Sequence, residues 1–347
     1  MKDEHTMKTI FYKGQKLARL DDETRFIDHD NKLKCDLFND KGAILAKKGQ
    51  IAPKKLKSIP IYTYISAHEE FSKLPASENA SPTHSEANAL ELFHNKKKKI
   101  KQEVGEETFT IYSQTTDHLE NVFAKGPDAK ISMETALDMV EENYKHSSTK
   151  LFRCVQSLRS ADTYTAHHSY SVYLIFQEAL YEFKKHINRD DFWDAFKVSY
   201  ASVSFNDTAI KTYAAGALMH DLGKAYIPLE ILNKPGELTK EEFEIMKTHP
   251  RLGIEALTKS NIKHKQIQEI VANHHSRYPF FSDRGQSALT VIANIVDIFD
   301  ACKSERCYKP AFSWEETLKV LEKERQFANW GNFIYQTMVR DILPKFI

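Results

Sequence analysis

Cysteine is scarce in this chain: Cys35, Cys154, Cys302 and Cys307 are scattered, with no CxxC pair among them. That spacing argues against a disulfide framework and fits free or buried thiols in a reducing compartment, so the expected location is cytoplasmic. Charge of one sign is also missing. Lys+Arg 49 against Asp+Glu 48 leaves a formal net charge of +1, which gives no whole-chain attraction to polymeric nucleic acid or to an anionic membrane. An anionic ligand must therefore be held by a local site. No uncharged apolar run reaches the ~18 residues of a membrane span, and the opening MKDEHTMKTIFYKGQK lacks the apolar core of a signal peptide. Membrane insertion is not expected, and no internal repeat is visible.

The 347 residues suffice for one large core or two smaller ones. Residues 10–65 have short apolar stretches broken by turn residues. Within them LKCDLFNDKGAILAKKG reads as two short strands around Asn39-Asp40-Lys41-Gly42, where glycine takes positive φ cheaply. Residues 1–65 are thus expected to be a small β or α/β domain with a sensory, docking or dimerisation role. It shows neither a phosphoacceptor context nor a Gly-rich nucleotide loop. Residues 66–102 read as a linker ending in the Lys96 to Lys99 run, which is expected to be a solvated helix face rather than a polyanion patch. Residues 103–149 are connecting helices, and 150–347 form a helical domain.

The helical period is plain in IxMxxALDMVEENY and KLFRCVQSLRS. Capping boxes at Thr239 with Glu242 and Ser313 with Glu316 set two helix starts. In SALTVIANIVDIFDACKS, Ile292, Ile295, Val296 and Phe299 share one face, while Asp297 and Asp300 fall on a neighbouring face with Ala293 and Ala301.

Eight of the 15 histidines lie between His167 and His275, several beside carboxylates or each other in otherwise apolar helical sequence. A buried imidazole needs partners for both nitrogens and a buried carboxylate needs cations or donors; a metal ion meets both needs. The candidates are His168, His220, Asp221, His249, His274, His275 and Asp297, spaced widely enough to come from different helices. Any one of these histidines taken alone is more readily a core or cap residue, and the joint pattern with two aspartates carries the reading. A mixed N and O set excludes a Cys-rich zinc site and suits Fe, Mn or Zn. Seven ligands are too many for one ion and enough for two, with Asp221 as a bridging carboxylate. Two ions are the standard device for in-line attack at phosphorus. Lys224, three residues after Asp221, falls on the same side if the helix continues that far, placing a point charge near a phosphate oxygen. Gly223 would allow a close approach by backbone or ligand.

HDLGKAYIPLEILNKPGELTKEEFEIMKTHP, with the upstream DTYTAHHS, the HH pair and IVDIFDACKSERCYKP, resembles the HD-GYP group of the HD phosphohydrolase superfamily over residues 150–347. The resemblance implies a mainly α, HD-type helical bundle with two divalent ions, Fe or Mn, that hydrolyses a cyclic dinucleotide such as cyclic di-GMP. It further implies that one ion uses His168, His220, Asp221 and Asp297, and the other Asp221, His249, His274 and His275. Asp221 and Lys224 would be catalytic, Lys224 also contacting phosphate. Tyr164 stands where some members have an acidic third-metal ligand, favouring two ions.

The chain departs from the group's pattern in the supporting residues. Ser276 replaces the glutamate after HH, Ser171 replaces an arginine, DACKSERCY replaces DALTSxRPY, and only Tyr278-Pro279 echoes the GYP loop. Substrate contacts are therefore assigned to Lys224, Arg277, Tyr278, Phe280 and Arg284. Phe280 and Phe281 either stack on a purine or anchor the loop, and the arginines either bind phosphate or remain solvated. The leading expectation is a phosphodiesterase acting on cyclic di-GMP or 3',3'-cyclic GMP-AMP. The alternatives are an inactive cyclic dinucleotide receptor and an HD phosphohydrolase for another nucleotide. A homodimer, or a signalling partner through the amino-terminal domain, completes the partner expectation.

Overall fold

A computed structural model describes residues 95–159, 164–196, 203–232, 234, 237–280, 287–304 and 311–347, together with five strand segments in the stretch before them. The chain divides into two compact units, Met1–Glu91 and Leu92–Ile347. In the first, β1 (Thr9–Tyr12), β2 (Gln15–Arg19), β3 (Leu37–Phe38), β4 (Ile44–Ala46) and β5 (Tyr62–Tyr64) pair antiparallel in the order β1-β2-β5-β3-β4. The two strands expected around residues 39–42 are β3 and β4, with Leu37 opposite Ala46 and Phe38 opposite Ile44. The turn itself, Cys35 and Cys307 lie outside the described residues.

The second unit is mainly helical. Helical residues 95–104, which leave Lys96 to Lys99 exposed, precede α1 (Glu106–Ala124), α2 (Met133–Tyr144), α3 (Ser148–Leu158), α4 (Tyr164–Lys184), α5 (Asp207–Leu218), α6 (His249–Lys259), α7 (Lys265–Asn273), α8 (Ala288–Lys303) and α9 (Trp314–Ala328). From Ala166 to Gln177 every residue of α4 is buried, so this stretch lies in the middle of the bundle. Helices α1, α3, α5 and α8 pack around it. Leu174, Ile175, Phe176 and Phe183 are fully buried, each contributing about 1.5–3 kcal/mol of transfer free energy.

The helix starts follow local chemistry. Ser132, Asn206 and Ser287 accept from the N–H groups of Thr135, Ala209 and Thr290, which would otherwise lack partners. Both capping boxes form: Thr239 with Glu242 opens the short helix Lys240–Met246, and Ser313 with Glu316 opens α9. In α8, Ile292, Ile295, Val296 and Phe299 are buried in the apolar core. This fixes the rotation of the helix and turns Asp297 and Asp300 toward the functional site. Among the described residues no helix is long and apolar enough to cross a membrane, and Cys154 and Cys302 are buried free thiols.

One local expectation needs correction. Helix α5 does not continue through Lys224; it ends at Leu218, and Leu222–Tyr226 form a 3-10 turn. Residues three apart eclipse in that geometry, so Lys224 still falls over Asp221.

Candidate metal centre

His220, His249 and His274 each stand just beyond the end of a helical segment: α5 ends at Leu218, the short helix at Met246 and α7 at Asn273. The last carbonyls of a helix lack intrahelical partners and carry partial negative charge. Each imidazole uses one of them. The Nδ1–H groups of His220, His249 and His274 donate to the carbonyls of Ala217, Met246 and Val271, three residues back, at 2.8, 2.8 and 3.0 Å. A carbonyl only accepts, so Nδ1 carries the proton and Nε2 is left as a bare lone pair.

Those lone pairs converge. His249 Nε2 lies 3.1 Å from His274 Nε2 and 3.2 Å from His275 Nε2. With both Nδ1 atoms protonated, the His249–His274 approach cannot be a hydrogen bond. A cation between the nitrogens turns this repulsion into ligation. Burial, as the leading cause, holds His249 down at about 3, His275 at about 4 and His274 well below the usual imidazole range. All three are therefore neutral, the form that binds metal.

The second cluster is His168, His220 and Asp221. Asp221 faces both clusters. Its Oδ2 is 3.4 Å from His168 Nε2 and 3.4 Å from His220 Nε2, while its Oδ1 is 3.3 Å from His249 Nε2 and 3.8 Å from His274 Nε2. Asp297 straddles in the same way, with Oδ1 3.0 Å from His168 Nε2 and Oδ2 3.5 Å from His275 Nδ1. His220 Nε2 and Asp221 Oδ1 are buried and make no hydrogen bond within the protein. Two buried polar atoms left without partners, in a set of five imidazoles and two carboxylates, fit a pair of divalent cations. The two clusters are thus the ligand groups of a dinuclear-metal site of HD type.

Charge balance points the same way. Burial opposes ionisation of Asp221, but Lys224 and the nearby histidines outweigh it and hold the carboxyl well below the ordinary range. Lys224 is kept charged by Asp221 and Asp297 against its own burial, and its Nζ lies 2.5 Å from Asp221 Oδ2. His168 differs from the other histidines. Burial works against its charge, yet the surrounding groups, Asp297 and Asp300 among them, raise it to about 10: the cluster draws positive charge to this spot.

Gly223 allows the close backbone approach anticipated for it. A β-carbon there would overlap the carbonyl oxygen of His249 and sit 2.5 Å from the amide nitrogen of Gly253. The 3-10 turn that carries Asp221 is therefore in direct backbone contact with the start of α6.

All seven expected ligands meet in one place, with Lys224 beside them. The expected substrate contacts are more dispersed. The Tyr278 ring packs 4.4 Å from that of His275 and 6.3 Å from that of Phe243. Phe280 is exposed, its amide bonded to the carbonyl of Ala272 at 2.9 Å. Arg277 is tied to Glu324, with Nε at 2.9 Å and a terminal nitrogen at 2.7 Å, and its guanidinium stacks 4.2 Å from the Phe327 ring. Phe281 and Arg284 lie outside the described residues.

Asp300, Arg159 and Glu324 were given no role in the sequence reading. Asp300 accepts from His168 Nδ1 at 2.7 Å and is held well below the carboxylate range, the Arg159 charge overcoming burial. Tyr164 lays its ring parallel to His168, 5.6 Å between centroids and 8° between planes. Glu324 accepts from Ser276 and from Arg277, putting a carboxylate from α9 beside Ser276. The missed local signal was a histidine just past the end of a helical segment, three times over. No local signal marks Arg159 or Glu324.

Residues 165–304 match the HD domain family. The chain is 35% identical over 130 residues to the cyclic di-GMP phosphodiesterase response regulator RpfG of Xanthomonas campestris, covering 35% of this chain and 34% of that protein. It is 36% identical over 144 residues to 3'3'-cGAMP-specific phosphodiesterase 2 of Vibrio cholerae, covering 36% of this chain and 27% of that protein. The match thus spans about a third or less of the length of these relatives. Among solved structures, Bd1817, an HDG"Y"P protein from Bdellovibrio bacteriovorus, aligns over 94% of this chain and 99% of its own at 14% identity and TM-score 0.46. Every candidate ligand from His168 to Asp297 falls inside residues 165–304, the segment that matches the HD domain family.

Proposed function

We propose that this chain is a dinuclear-metal phosphodiesterase that opens cyclic di-GMP or 3',3'-cyclic GMP-AMP to a linear dinucleotide. The observation that carries the reading is Asp221, whose two carboxylate oxygens face the two histidine clusters. His168, His220, Asp221 and Asp297 would hold one ion, and Asp221, His249, His274 and His275 the other. The mixed nitrogen and oxygen donors suit iron or manganese. When bound, such a pair supplies a water acidified toward neutral pH and charge neutralisation at phosphoryl oxygens.

The residues of the chain do the rest. The Nδ1–H bonds to Ala217, Met246 and Val271 keep three Nε2 atoms aimed inward, so no reorientation is needed when substrate arrives. Lys224, charged and half-buried beside Asp221, offers its ammonium to a non-bridging phosphate oxygen and stabilises the charge that builds there. Tyr278, whose ring packs on that of His275, and the exposed Phe280 would offer ring faces to a purine. Residues 1–65, which include the five strands, serve as the sensory or docking module, and residues 66–149 as linker and connecting helices.

The decisive experiment uses protein purified without oxygen, with its metal content quantified. It is incubated with cyclic di-GMP and with 3',3'-cyclic GMP-AMP, beside Asp221→Ala. Linear product that disappears in the variant, together with loss of metal from both sites, is the expected result. Undiminished hydrolysis by Asp221→Ala would overturn the site, and metal-replete protein that binds but never cleaves either substrate would make it a receptor.

A further inference from the structure

Four of the five site histidines have Nδ1 or Nε2 contacts confined to the main chain or to other members of the site. His168 has something else behind it. Its Nδ1 lies 2.7 Å from Asp300 Oδ2, and Asp300 is gripped by Arg159, the residue that follows the last turn of α3. One terminal nitrogen donates to Asp300 Oδ2 at 2.9 Å and the other to Oδ1 at 2.9 Å. The same guanidinium donates to the Ser171 hydroxyl at 2.8 Å and to that of Ser304, and lies 5.4 Å from the Tyr164 ring that stacks on His168. Position 171 is where the HD-GYP pattern predicts an arginine; here a fully buried serine accepts a hydrogen bond from an arginine that arrives from another helix.

We propose that Arg159 is a positioning residue for the metal site: by fixing both oxygens of Asp300 it sets the tautomer and the aim of His168. The inference rests on the dinuclear reading above. Planar, bidentate pairing is the geometry in which arginine constrains a carboxylate in two directions at once. Arg159 and Asp300 side chains are 5% and 0% exposed, so this pair has left water. Buried ion pairs seldom add net stability, since desolvation cancels much of the attraction; what they add is fixed geometry. Here the geometry is delivered to a ligand nitrogen. A carboxylate behind a ligating imidazole also raises its basicity, and losing such a partner typically costs about 10–100-fold in metal affinity. Because the network touches His168 and none of His249, His274 or His275, the loss is confined to one of the two ions.

The test is titration of the full-length metal-free protein with Mn²⁺, counting sites and affinities for wild type, Arg159→Gln and Arg159→Lys, with thermal unfolding in chelator alongside. Two sites are expected in wild type. Arg159→Gln should weaken one by about 10–100-fold and leave the other unchanged, and Arg159→Lys, which keeps the charge but not the fork, should recover part of the loss. A purely structural tie between α3 and α8 would lower the melting temperature in chelator and leave both affinities unchanged; that result overturns the proposal. If Arg159→Gln does not fold, Arg159→Lys decides, and two wild-type affinities in it are equally fatal. Wild type that takes up no Mn²⁺ removes the dinuclear reading and this inference together. Wild type that binds two ions but cleaves neither cyclic dinucleotide removes only the phosphodiesterase reading, because the titration is read without turnover.

Discussion

His220, His249 and His274 are aimed by main-chain carbonyls three residues back, whereas His168 is aimed by a side-chain carboxylate that an arginine holds from another helix. The first arrangement is local and neutral: it needs a helix end and little else. The second is long-range and ionic, and it depends on α3 and α8 keeping their places. The difference teaches that one dinuclear site is supported by two kinds of structure, and that each kind fails in its own way. Moving the backbone should damage the His249–His274–His275 side. Removing a buried charge should damage the His168 side.

Gly223→Ala should give the largest effect. Its β-carbon would overlap the carbonyl of His249 and crowd the amide of Gly253, and neither can move without shifting the start of α6. Overpacking of this kind typically costs about 1–3 kcal/mol, and overlap with backbone places it at the top of that range. Chemical denaturation should show the loss, and Mn²⁺ titration should show the His249–His274–His275 site weakened more than its neighbour. A stable variant with both sites intact would mean that α6 does not depend on this contact.

Asp300→Asn attacks the other side. It preserves shape but removes the charge that Arg159 and His168 share. An affinity loss of about 10–100-fold is expected in the His168 site alone, and equal losses in both sites would erase the distinction between the two supports.

What could be read from the sequence divides along the same line. The seven residues that meet at the site were legible as candidates because histidine and aspartate in apolar helical surroundings require explanation, and their residue types alone limit the answer. The aim of Asp297 was legible too, since Ile292, Ile295, Val296 and Phe299 fix the rotation of α8. Lys224 was placed correctly for a different reason from the one assumed: a 3-10 turn, not a continued helix, brings it over Asp221. Arg159 and Glu324 were not legible. Each acts on a group far away in the chain, Asp300 and Ser276 respectively, and nothing in the neighbouring residues distinguishes such an arginine or glutamate from a solvated one. The neutral, backbone-held side is written in local sequence; the ionic side exists only after the helices have packed.

The smallest effect tests whether this division extends beyond the site. Ser313 caps α9 by accepting from the Glu316 N–H at 3.1 Å, while Glu316 accepts from the Ser313 N–H at 2.8 Å. Ser313→Ala removes half of that box and should cost about 1 kcal/mol of stability, measured by denaturant unfolding. Glu324, on the same helix, accepts from Ser276 and Arg277 beside His275. If support for the site is carried by individual contacts, a frayed first turn leaves Glu324 in place and both Mn²⁺ affinities unchanged. If it is carried by α9 as a rigid unit, the same small loss of stability should come with a weaker His275 side, and the sharp separation between a backbone-held and a charge-held half would have to be redrawn to include this third helix.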